Sequence, residues 1–147
     1  MIPPFEPATG NLPPGVHESE WDEFEARFGY NPHRRFLLVG LKRALDALRS
    51  AGCRTAYIDG SFVTAKDSPA DFDGCWEPEG VSFGRLDLVL LDFSNQRWRQ
   101  KAKFGGELFI ANDVAEPTGT KFIDYFQLET STRAPKGIVM LNLGSLP

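Results

Sequence analysis

The stretch YIDGSFVTAKDSPADFDGCW, residues 57–76, decides how this chain folds and what chemistry it could carry. TAYID, residues 55–59, is short, apolar and aromatic, so it predicts a strand, and Gly60 ends it because glycine turns sharply at no steric cost. Residues 71–76 predict a second strand, after which EPEG supplies a turn. The loop between them, rich in Ser, Pro and Asp, is either a turn that happens to carry acids or a reaction centre.

Several features favour the centre. Gly60 permits close backbone approach, and Ser61 offers a hydroxyl and a free N–H at the start of a short helix, which together could cradle a phosphate. Asp71 and Asp73 lie two apart, so on a strand both carboxylates emerge on one face. Two hard oxygen donors flanking one apolar residue suit magnesium, which bridges phosphate oxygens and aligns an attacking hydroxyl with a leaving pyrophosphate. The reaction class this implies is phosphoryl or nucleotidyl transfer. A further carboxylate is needed to approach the metals and take the proton of the attacking hydroxyl. Glu107, opening a predicted strand behind a glycine pair, is preferred; Asp87 is the substitute, or else a helix cap. The paired aspartates stand among apolar and aromatic residues, where an unpaired acid is costly to bury.

At 147 residues the chain fits one domain, and its 41% hydrophobic and 24% charged residues are those of a globular protein. A net charge of -4 provides no field to draw the whole molecule onto nucleic acid or an anionic membrane. Cys53 and Cys75 form neither a disulfide framework nor a zinc spacing. The opening MIPPFEPATGNLPPG is no secretory signal, and no apolar run approaches a membrane span, so a cytoplasmic protein with no membrane partner is expected.

Around the central stretch, five prolines in residues 1–15 predict an extended arm on the surface or across the domain rather than an element. Trp21, Phe24 and Phe28 share one face of a short helix capped by Gly29. Asn31 and Pro32 start the clearest helix, about residues 32–51, with Phe36, Leu37, Val39, Leu41, Ala44, Leu45 and Leu48 as its apolar stripe. LDLVLLDF, residues 86–93, fits an alternating strand or a helical face; helix is favoured. Residues 94–103 read as a basic helix, 107–111 as a strand, 120–129 as a helix and 137–143 as a last strand. The class is α/β or α+β, a mixed β-sheet covered by helices.

Other features carry blander readings beside the chemical ones. Arg97, Arg99, Lys101 and Lys103 could face phosphates, although charge runs are usually solvated helix faces. His17 and His33 stand apart from any nucleophile and read as structural, and Cys75 has no base to activate it. Trp98 could stack on a base only if exposed.

At GSFVTAKDSPADFD the chain resembles the polymerase-beta-like nucleotidyltransferase superfamily, whose core carries Gly-Ser, then Asp-x-Asp on the next strand, then a third acid on a later one. More closely it resembles a group of small bacterial nucleotidyltransferase-like proteins, through LPPGVHESEWDEFEARFG, NPHRRFLLVGL, QKAKFGGELF, FIDYFQ and PKGIV, nearly the whole chain. The resemblance implies a minimal nucleotidyltransferase fold, Gly60 and Ser61 on nucleoside triphosphate, Asp71 and Asp73 on Mg2+, and Glu107 as third acid, where the superfamily has aspartate. It implies an acceptor on RNA, protein or a small molecule, and a setting among toxin-antitoxin or antiphage components, some of them inactive. With only one predicted helix and one strand after the core, a partner protein, a homodimer or the proline-rich arm would complete the site.

Overall fold

The computed structural model describes residues 1–147. Five strands, β1 (Gly15–Ser19), β2 (Thr55–Asp59), β3 (Phe72–Trp76), β4 (Gly106–Ile110) and β5 (Gly137–Asn142), form one sheet in the order β1-β5-β2-β3-β4. β5 runs parallel to β1 and antiparallel to β2, β3 antiparallel to β2, and β4 parallel to β3. With helices α1 (Trp21–Phe28), α2 (Pro32–Ser50), α3 (Trp98–Phe104) and α4 (Phe122–Tyr125), this is an α+β protein with a mixed sheet, as expected.

Side chains alternate across the sheet, and the two faces differ in what they bury. Ala56 and Ile58 of β2, Phe72 and Trp76 of β3 and Leu108 of β4 point into the main core, against Trp21, Phe24 and Phe28 of α1 and Leu41, Ala44, Leu45 and Leu48 of α2. On the other face Cys75 and Ile138 meet Phe126, with Tyr57, Phe109, Phe122 and Ile123 around them. Asn31 caps α2 by accepting the Arg34 N–H at 2.8 Å, with Pro32 in the first turn. Midway along α2, Gly40 lets α3 approach, since a Cβ there would lie 1.8 Å from the Phe104 carbonyl oxygen.

Several expected elements are displaced or shortened. The arm is anchored by buried Ile2 and Leu12, and its end forms β1, an edge strand that owes its form to pairing with β5. Phe36 and Val39 face outward on α2, 74% and 62% exposed, while Leu38 takes their place in the core. LDLVLLDF contains only a 3-10 turn, Leu88–Leu91: Asp87 accepts the Val89 N–H, and Asp92 takes the N–H and hydroxyl of Ser94. These local bonds divert the backbone from a continuous helix. The basic helix starts at Trp98, because Asn95, Gln96 and Arg97 have φ of 48°, 58° and 60°. The helix expected over 120–129 is confined to Phe122–Tyr125, after which Leu128 bridges to Pro135 and Lys136 N–H reaches the Gln127 carbonyl. Asp71 lies one residue before β3.

Candidate functional site

The loop after β2 is built from below. Gly60–Val63 is a 3-10 turn whose Phe62 is fully buried, its ring 6.0 Å from Phe24 and 6.2 Å from Phe28. Arg34, also fully buried, donates through Nη1 to the carbonyls of Phe28 and Phe62 and through Nη2 to those of Thr64 and Lys66, at 2.6–3.2 Å. A charge so buried is tolerable because its donors are matched by acceptors. Helix α2 thereby fixes the course of residues 60–66 against the sheet. Ser61 contributes its carbonyl to the same bracing, accepting from the Thr64 hydroxyl at 2.7 Å.

Above that loop the acids stand in a row. Antiparallel pairing sets Asp59 opposite Asp73, and parallel pairing sets Asp73 beside Glu107, so three adjacent strands carry carboxylates on one face at one level. The expected placing of Glu107 beside the Asp73 strand is what the register gives. Gly60 has φ of 74°, and a Cβ on it would stand 2.6 Å from Asp73 Oδ2, so only a glycine leaves that carboxylate its place against the backbone.

Crowding raises the proton affinity of these acids. Burial, then the charges of Asp71 and Glu107 and a hydrogen bond with Glu107, push the Asp73 carboxyl up to about 7, with Lys101 opposing. Burial, then Glu107, raises Asp71 against Lys101 and Lys66. Asp59 is raised well above the usual carboxylate range by burial and then Asp73, while Lys136 opposes. Glu107 is held differently: Arg97 Nε donates to its Oε2 at 2.8 Å and the Lys101 ammonium lies 3.5 Å from the same oxygen. Arg97 reaches it from the left-handed turn, its guanidinium also 5.3 Å from the centre of the Phe109 ring.

The structure thus gathers Gly60, Asp71, Asp73 and Glu107, and sets Asp87 aside. The Asp87 carboxylate caps the 3-10 turn and pairs with Lys103, which holds it below the usual range once burial is outweighed. Arg99 pairs with Asp92, while Trp98 is 51% exposed beside it. His17 Nε2 donates to the Pro13 carbonyl and His33 Nε2 to that of Pro69, at 2.6 and 2.5 Å, which are structural roles. Cys75 is buried and its thiol is pushed upward by that burial, as expected of a core filler. Three residues were missed. In the sequence Asp59 ends an apolar strand, Arg34 lies unmarked within a helix, and Arg97 is one member of a charge run. Only for Asp59 was a signal present, an acid on the residue before Gly60 in a strand otherwise apolar.

The donor set bears on magnesium in a particular way. As folded, no three His, Cys, Asp or Glu side chains are grouped to hold a metal. Magnesium does not require such a cage: it is commonly bound by one or two carboxylates with phosphate oxygens and water completing six positions. Crowded hard oxygen donors at Asp71 and Asp73, disfavoured as a pair of anions, fit that pattern.

Residues 3–142 match the model of a family of unknown function, DUF6932. The chain belongs to that family. No curated protein and no solved structure matches it. No helix is long and apolar enough to cross a membrane.

Proposed function

We propose that this DUF6932 protein is a magnesium-dependent nucleotidyltransferase, moving a nucleoside monophosphate from a nucleoside triphosphate to an acceptor hydroxyl on RNA, protein or a small molecule. What carries the reading is the row of in-register carboxylates beside Gly60, held up by a loop that Arg34 braces. In it, Gly60 and Ser61 receive phosphate oxygens, and Asp71 and Asp73 hold the cation. A divalent cation at that place neutralises charge developing on the transferred phosphoryl group. Lys66, one of the cations acting on Asp71, would meet remaining phosphate charge. Glu107 would have to leave Arg97 and Lys101 before taking a proton. A cytoplasmic setting suits the two free, buried cysteines.

Calorimetry with each nucleoside triphosphate and Mg2+ tests this. Binding by the wild type and its loss in an Asp71→Ala, Asp73→Ala variant are expected; heat from neither protein with any nucleotide would remove the enzyme. One observation favours a second reading, a non-catalytic module that keeps the fold as an antitoxin-like or regulatory partner: Glu107 is already neutralised by two cations. Under it, the same titration is silent.

A further inference from the structure

Asp59 is the only acid among the buried residues, 4% exposed, and its Oδ1 has no hydrogen-bond partner. An orphaned buried carboxyl costs free energy that an apolar residue at this strand end would not, and such groups call for a ligand or a role. Its place answers which. Directly opposite Asp73 in the antiparallel register, its side chain emerges on the face of the acid row. Glu107 occupies the far side of Asp73, but its Oε2 already receives Arg97 and Lys101. Asp59 faces one cation, Lys136 at the foot of β5, and the two acids Asp73 and Glu107.

We propose that Asp59 is the third carboxylate of the cation site, joining Asp71 and Asp73 around a divalent ion while Glu107 stays paired with Arg97 and Lys101. The proposal rests on the nucleotidyltransferase reading of the same acids. The three acids are not grouped as folded, so a bound cation has to draw their oxygens together, with phosphate and water filling the remaining positions. The order of the elements suits this, since Asp59 and Asp73 flank Gly60, whose missing Cβ leaves the Asp73 carboxylate flush with the backbone. An ion seated there touches the phosphate loop and the acid row together.

Mn2+ titrated into the full chain, alone and with inorganic triphosphate, and followed by electron paramagnetic resonance, tests it. Asp59→Asn weakens Mn2+ binding at least tenfold, as Asp73→Asn does, and Glu107→Gln weakens it less. Without metal, a wild-type circular dichroism spectrum and a cooperative melt of Asp59→Asn separate lost binding from lost folding. If the asparagine variant does not fold, Asp59→Ser gives the same affinity comparison. Wild-type affinity in Asp59→Asn, with binding lost in Asp71→Asn and Asp73→Asn, overturns the role of Asp59 and leaves the proposed function standing. A larger loss in Glu107→Gln than in Asp59→Asn overturns it as well. A wild type that binds no Mn2+ in either condition removes both proposals.

Discussion

The two sides of the Gly60–Lys66 loop handle buried charge in opposite ways. On the helix side, Arg34 lies completely buried and its guanidinium is shared among the carbonyls of Phe28, Phe62, Thr64 and Lys66. On the sheet's other face, Asp59 is nearly as buried and leaves an oxygen with no donor. A fold that can surround one charge with acceptors has the means to satisfy another a few residues away. The contrast separates a charge used to hold shape from the acid on which the proposed cation site rests.

The largest effect should come from breaking the satisfied side. Arg34→Met leaves at least four carbonyls without their donor and is expected to cost about 3–5 kcal/mol, read as a lower midpoint in urea unfolding. Nucleotide binding should fall with it, since the loop loses its brace.

On the unsatisfied side the response to pH reverses the common carboxylate behaviour. Asp59, Asp71 and Asp73 all bind protons more tightly in the folded chain than in the unfolded one. Stability from these groups is therefore fullest below the unfolded value of 3.8 and declines as pH rises through about 7, where Asp73 ionises. Metal-free Asp73→Asn should gain on the wild type between pH 5 and 8, by on the order of a few kcal/mol, in thermal melts across that range. A constant difference would show that Asp73 ionises normally.

The smallest effect tests strain on the same side. Three successive left-handed residues, Asn95 to Arg97, place the guanidinium on Glu107, and side chains resist that conformation by roughly 1–2 kcal/mol each. Gln96→Gly should stabilise the chain by about 1 kcal/mol in chemical denaturation while keeping the Arg97–Glu107 pair.

Legibility in the sequence followed the same division. The helix face was readable because its signals are periodic: Trp21, Phe24 and Phe28 repeat at helical spacing, and Asn31 with Pro32 marks a helix start. Pairs separated by one residue, such as Asp71 and Asp73, were also readable. What escaped depended on partners far along the chain. β1 is a strand through β5, and Arg34 matters through carbonyls near residue 64. Asp59 joins the acid row only through its pairing with Asp73. The segments over 86–93 and 120–129 failed because short polar residues captured the backbone, or a hairpin diverted it, before a second helical turn could form.

The position of β5 also sets an order of events during folding. It lies between β1 and β2, which come earlier in the chain and do not pair with each other. Pairing of β2, β3 and β4, which gathers Asp59, Asp73 and Glu107, therefore requires neither β5 nor Lys136. At that stage β1 has no neighbour, and one border of β2 is bare. Distant pairings of this kind form late. The acids thus gain the lysine that offsets Asp59 only when β5 docks, and the sheet joins its first strand to the rest in the same step.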